Sequence, residues 1–136
     1  MEKIFTSFRG KDEFDEWHYG CAWVSEDGSK AAIIDDKQVF HSVISCTLTP
    51  YVNRIDKNGK QAFLGDIVRI KGCYADNGEE YDDIFQIKYS EDLSGFCLPD
   101  GEPLPDKEQF AEECEIIGNV YEDSLKFRSE IGKIWF

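Results

Sequence analysis

Two histidines, five cysteines and 28 acidic residues are the side chains of this 136-residue sequence that could hold a metal ion or move a proton. His18 and His41 stand far apart in the sequence. Neither belongs to the H-E-x-x-H pair that a zinc hydrolase places on one helix. His18 and Cys21 are closely spaced, but strand alternation puts them on opposite faces, so they do not read as two ligands of one zinc ion. His41 follows Phe40 in an apolar run and reads as a packed or hydrogen-bonded histidine. Gly59-Lys60 ends like a phosphate loop, yet Gln61 stands where Ser or Thr is needed and the second glycine is missing. No G-x-S-x-G nucleophile elbow occurs. Asp76, Glu79, Glu80, Asp82 and Asp83 crowd around Asn77-Gly78 without the glycine and glutamate offsets of a calcium loop, and read as a solvated hairpin tip. The expectation is no catalytic residue, no metal, no cofactor and no enzymatic activity.

Cys21, Cys46, Cys73, Cys97 and Cys114 are odd in number, spread along the chain and free of any C-x-x-C pair. They read as reduced thiols of a cytoplasmic protein, most of them small apolar core residues. The first residues hold no apolar run of signal-peptide length, and no segment approaches the ~20 apolar residues of a membrane span. With 15 Lys+Arg against 28 Asp+Glu, the net charge is −13. Direct nucleic-acid binding needs cations for phosphates, so it is not expected, and neither is adhesion to an anionic membrane. One positive use of the charge is open. Asp35-Asp36, Glu79-Glu80, Asp82-Asp83 and Glu112-Glu113 could imitate a DNA phosphate track and block a host nuclease or DNA-binding enzyme. The plainer reading is a surface that keeps the protein soluble.

The elements that must position these side chains are short. Turn residues recur every few positions, and β-branched and aromatic residues fill the gaps, the pattern of a mainly β domain. Residues 16–24 read as a strand with Trp17, Tyr19, Cys21 and Trp23 on its core face. Asp27-Gly28 turns it into a second strand at 30–34. Residues 38–48 hold one or two more strands, ended by Pro50. Asn58-Gly59 predicts a type I′ hairpin turn with positive φ at both positions. Strands follow at 65–72, with Val68 and Ile70 on one face, and at 81–89, with Phe85, Ile87 and Tyr89 on one face. A short strand is expected at 96–98. Asp106 fits the N-cap of a short helix through Glu113, with Gln109 at its third position. A last strand covers 114–121, where Gly118 suggests a bulge or close backbone packing. One or two helical turns are expected at 124–131. The apolar end Ile134-Trp135-Phe136 is expected to dock on the body of the protein or on a second chain.

Four segments resemble the YopX family of phage and prophage proteins. Phe8-Arg9-Gly10-Lys11, followed by Glu16-Trp17-His18-Tyr19-Gly20, looks like the family's F-R-G-K and E-W-x-Y-G opening. Asp56-Lys57-Asn58-Gly59-Lys60 resembles its D-K-N-G-K turn, Gly65-Asp66-Ile67-Val68 its G-D-I-V strand start, and Ile117-Gly118-Asn119-Val120-Tyr121-Glu122 its I-G-N-I-Y-E segment. The likeness runs from about Phe8 to Leu125. It departs from the family at Val52-Asn53-Arg54-Ile55, at Ala62-Phe63-Leu64 and at Asp123-Ser124-Leu125, where the family has other residues.

The resemblance implies a phage or prophage product acting inside a bacterial cell, with a small SH3-like β-barrel, and it implies no reaction. The motif residues have a structural reading. Asn58-Gly59 closes a hairpin, Gly65 allows a tight turn into a strand, Asp66 accepts from nearby backbone N–H groups, and Asn119 caps a neighbouring loop. The expected organisation is an N-terminal β region over 1–55 sharing its core, a barrel region over 56–121 and a C-terminal extension over 122–136, or one compact domain containing all three. One or two short helices fall near the C-terminus. The expected function is protein interaction, with self-association and a partner the sequence does not name.

Overall fold

A computed structural model describes residues 8–121 and the strand at residues 134–135. The fold is mainly β with one short helix, and the chain divides into two compact units, Met1–Tyr51 and Val52–Phe136. The division falls inside strand β5 (Thr49–Ile55).

The first unit is an antiparallel meander. Strands β1 (Phe8–Lys11), β2 (Trp17–Val24), β3 (Ala31–Ile34) and β4 (Phe40–Val43) pair in sequence order. A 3-10 turn at Ser45–Thr47 leads into β5, whose first residues pair with β1 on its other side. The sheet curls until Ile44 N donates to Lys11 O at 2.8 Å. Its concave face carries Ala31, Ile33 and Val43 with Phe8, Ala22 and Leu48 packed against them.

Tight curling explains the choice of small residues. A Cβ on Gly10 would lie 2.8 Å from a Val43 methyl, and one on Gly20 would lie 2.1 Å from Ile34 O. The expected core face of β2 is therefore reversed. Trp17 is only half-buried, Tyr19, Cys21 and Trp23 are exposed, and the alternate set with Gly20 and Ala22 faces inward. Pro50 also does not end a strand. It lies within β5 opposite Phe8, where the β1–β5 ladder is only two residue pairs long.

The second unit has a larger core. Strands β7 (Asp66–Cys73) and β8 (Glu80–Gln86) form a long hairpin, flanked by β11 (Cys114–Asn119) on β7 and by β12 (Ile134–Trp135) parallel to β8. Strands β9 (Lys88–Ser90) and β10 (Gly95–Cys97) make a separate ribbon, and β6 (Gln61–Phe63) precedes β7. Helix α1 (Lys107–Glu113) starts at Asp106, whose side chain accepts from Gln109 N at 2.8 Å, as the capping pattern predicts. Phe110 from α1 is completely buried among Val52, Ala62, Val68, Ile70, Phe85, Ile87, Leu104, Cys114 and Ile116. A side chain of this size contributes roughly 1.5–3 kcal/mol by leaving water. Ile67 and Ile84 form a smaller cluster on the other face of the sheet with Ile117 and Val120, so β7 is covered on both sides.

Several expectations change here. Among the described residues, 56–121 supply β7, β8 and β11 of an open sheet that β12 completes, the β9–β10 ribbon, and β6, which pairs with β5; they form no closed barrel, because β9 and β10 pair with each other and not with the β7–β8 sheet. The strand expected over 81–89 breaks at Ile87: Phe85 and Ile87 stay in the core, while Tyr89 is exposed on β9. Asn58-Gly59 does not form a type I′ turn, since only Gly59 has positive φ, +81°. Only Cys97 and Cys114 of the five cysteines are buried; Cys21, Cys46 and Cys73 are exposed. Burial pushes the Cys114 thiol up to about 12. The register shift in β11 falls between Ile116 and Gly118, where a bulge is expected. Residues 124–131 and Phe136 lie outside the described residues.

Candidate functional site

Three hairpin turns share one set of hydrogen bonds. In each, an aspartate at the first position donates its backbone N–H to the carbonyl four residues on: Asp12 to Glu16 at 2.9 Å, Asp35 to Val39 at 3.1 Å, Asp56 to Lys60 at 2.9 Å. One carboxylate oxygen then accepts two backbone N–H groups of the same turn. Asp12 Oδ1 takes Phe14 and Glu16, Asp35 Oδ1 takes Lys37 and Val39, and Asp56 Oδ1 takes Asn58 and Lys60, all at 2.8–3.0 Å. The fourth position is left-handed each time: Asp15 at φ 72°, Gln38 at 64°, Gly59 at 81°. Aspartate suits this turn because its short side chain reaches local N–H groups without leaving the backbone path. Its second oxygen stays available for other work.

In the first two turns that oxygen holds a histidine six residues downstream. His18 Nε2–H donates to Asp12 Oδ2 at 2.7 Å, and His41 Nε2–H donates to Asp35 Oδ2 at 2.8 Å. An ionised carboxylate only accepts, so the proton of each contact sits on Nε2 of the imidazole. Curling of the sheet then stacks the two rings, centroid to centroid at 4.0 Å and 13° from parallel. All four side chains are mostly buried, at 14–27% exposure. The hydrogen bond from His18 is the main cause that lowers the Asp12 carboxyl below the ordinary aspartate value, and the bond from His41 does the same for Asp35. The result is a clasp, Asp12–His18 stacked on His41–Asp35, joining two turns of one unit.

Two clefts flank the clasp. One of about 440 Å³ is lined by Asp12, Glu13, Phe14, His18 and the Phe40–Ile44 stretch with His41; the other, of about 370 Å³, by Trp17, His18, Tyr19, Gly20, Asp35, Asp36 and His41. Asp12, Glu16 and His18 bring one ligand atom each within 4.8 Å of the others, a spacing that could receive a cation. Both oxygens of Asp12 already accept hydrogen bonds, however, one from the turn backbone and one from His18 itself. The arrangement is built first to fix the turns.

The residues singled out from sequence separate into two sets. Phe8-Arg9-Gly10-Lys11 pairs antiparallel with Trp17 to Gly20, Arg9 opposite Tyr19 and Lys11 opposite Trp17. On that face the Arg9 guanidinium lies 4.4 Å from the Trp17 ring, Arg9 Nε donates to Thr49 Oγ1 at 3.3 Å, and Lys11 Nζ pairs with Asp15 at 2.5 Å. Gly10 and His18 share the concave face. Glu16 N donates to Asp12 in the turn between the two strands.

The second set gathers in the other unit. Asp56 is 3% exposed, and its Oδ2 accepts from Ile116 N at 2.9 Å, tying the turn that contains Asn58 and Gly59 to β11. Asp66 is 1% exposed and accepts from Phe63 N at 2.8 Å. Gly65 has φ +90°, where any Cβ would be strained. Gly118 and Asn119 pair with Ile67 and Asp66, and Asn119 Oδ1 accepts from Tyr121 N at 3.0 Å. These residues meet as a framework of backbone contacts. Ile134 and Trp135 pair with Ile84 and Phe85 of β8. In the acidic turn region, Asp82 forms a two-point pair with Arg69 at 2.9 and 2.7 Å, and Glu113 accepts from Tyr81 at 2.5 Å.

The local sequence around each histidine does not show that the two meet in a clasp. The signal present was the repeated spacing Asp-x5-His, at Asp12–His18 and again at Asp35–His41.

Fold and site together define a mainly β protein of two units with a polar clasp in the first and an apolar core in the second. The family model described as YopX protein matches residues 8–126. The chain belongs to that family. No curated protein matches it. Among the described residues, no helix is long and apolar enough to cross a membrane.

Proposed function

We propose that this YopX-family chain is a phage- or prophage-encoded accessory protein that works in the cytoplasm of a bacterial cell as a non-enzymatic protein-interaction module. The observation that carries this reading is the exposed apolar surface of the first unit. Among the described residues, seven of the twelve exposed large apolar side chains fall there: Phe14, Tyr19, Trp23, Val24, Val39, Phe40 and Ile44. An excess of exposed large apolar side chains on so small a unit favours coverage by a partner. Self-association through the same surface belongs to this reading. The alternative of an acidic DNA mimic gains no support. Six of the 28 acidic residues, Asp12, Asp27, Asp35, Asp56, Asp66 and Asp106, accept hydrogen bonds within their own turns or strand ends and so serve the local fold.

Affinity capture from infected bacterial cells, read by mass spectrometry, tests the proposal. A specific protein retained by the native chain and lost with Phe14→Ser plus Phe40→Ser is the expected result. Retention of the same proteins by both forms overturns the role of this surface.

A further inference from the structure

We propose that the cleft between the Asp12–Glu16 turn and β4 receives the guanidinium of an arginine presented by a partner protein. The inference rests on the interaction-module reading and narrows it to one ligand chemistry. Phe14, Phe40 and Ile44 are among the residues that line this cleft, 76%, 63% and 47% exposed. No Lys or Arg lines the cleft, while Glu13 does, and Glu13 forms no hydrogen bond or ion pair among the described residues. The Asp12 carboxylate is fully engaged by the turn and by His18, which leaves Glu13 as the available anion. His18 and His41 also line the cleft.

A guanidinium is the group that matches this set. It is planar and stacks on aromatic rings, it pairs with a carboxylate, and its five N–H donors can use additional nearby acceptors. An anion would meet Glu13, and a purely apolar group would leave the acceptors of the cleft without donors. A peptide is the natural carrier. β4 is the terminal strand of its ladder, so an extended segment can run along it while its side chain enters the cleft.

The test uses the full chain and the probe acetyl-Gly-Arg-Gly-amide, with its citrulline counterpart as an isosteric neutral control, followed by amide NMR shifts. The expected result is a saturable shift confined to residues 12–18 and 40–44, about tenfold weaker for the citrulline probe. Glu13→Gln, an exposed isosteric change, is expected to weaken the arginine probe by about tenfold, and Phe40→Ala by severalfold. Equal binding of both probes, shifts mapping elsewhere, or no effect of Glu13→Gln overturns the inference. So do concentration-dependent shifts of these amides in the protein alone, which would make a second copy the occupant. If Glu13→Gln loses the arginine probe but still captures its cellular partner, the guanidinium is not what recruits that partner and this inference falls alone. Loss of all specific capture by the native chain removes the broader reading instead.

Discussion

The turn at Asp12 and the turn at Asp56 have the same internal hydrogen bonds, but they use the second carboxylate oxygen differently. In the first unit it binds an imidazole, and the same happens again at Asp35. In the second unit it binds the backbone N–H of Ile116 and is buried. The cores differ in the same sense. The first unit closes over three small or medium apolar residues, Ala31, Ile33 and Val43; the second encloses Phe85, Ile87, Phe110 and their neighbours. One local motif therefore supports two ways of holding a small β unit together. One relies on a partly exposed carboxylate–imidazole clasp beside exposed apolar side chains. The other relies on burial, with a carboxylate tied to backbone N–H groups.

The largest effect should come from the apolar core. Phe110→Ala empties the centre of the second unit and is expected to cost about 3–5 kcal/mol, read by urea unfolding. The stacked histidine signals of the first unit should persist in NMR at temperatures where the second unit has melted. Simultaneous loss of both sets would show that the two units unfold as one and would break the comparison. Next comes Asp56→Asn. The amide keeps one acceptor but turns an NH2 toward one of three N–H donors now bound, so a loss of about 1–3 kcal/mol is expected from the same measurement. A change near zero would mean that burial of Asp56 contributes little to holding β11.

Acid should separate the units more gently. Asp12 and Asp35 have carboxyls held below the ordinary value, chiefly by the hydrogen bonds from His18 and His41. A depressed folded-state pKa means that the stabilisation is present above the unfolded aspartate value, 3.8, and is lost as pH falls toward and through the lower folded values. Histidine ring signals followed from pH 6 to pH 2.5 should report the clasp opening at the acid end of that range. In Asp12→Asn plus Asp35→Asn this acid dependence should flatten. An unchanged profile in the double variant would assign the acid sensitivity to other carboxylates.

How far these features could be read from the residues depends on the range of the forces behind them. The cap at Asp106, the turn at Asp27-Gly28 and the β11 irregularity at Gly118 follow from contacts within a few residues, and local rules find them. The inward face of β2 does not follow from such rules. Alternation points the aromatic set inward, yet the curl puts Gly20 and Ala22 inside, with no room for a Cβ at Gly20 against Ile34 or at Gly10 against Val43. The clasp escaped for the same reason: stacking of His18 on His41 depends on the curl, and only the repeated Asp-x5-His spacing marked it locally. Asp56 was read as part of a hairpin, but its bond to Ile116 spans 60 residues and is set by the tertiary fold.

The smallest expected effect is also the sharpest test of whether the three turns are one device. Their fourth position is left-handed throughout, but only the third turn has glycine there. A side chain in that region costs roughly 1–2 kcal/mol, of which glycine returns part through the greater freedom of its unfolded chain. Gln38 is exposed, so Gln38→Gly should stabilise the first unit by about 0.5–1 kcal/mol in thermal or urea unfolding. Gly59→Ala should destabilise the second unit by a similar amount, because a Cβ there meets no atom within 4 Å and the cost is purely conformational. Opposite signs with matched magnitudes would establish one turn geometry in both units. A Gln38→Gly loss would mean that the Gln38 side chain contributes to the Asp35 turn in a way that Gly59 does not contribute to the Asp56 turn.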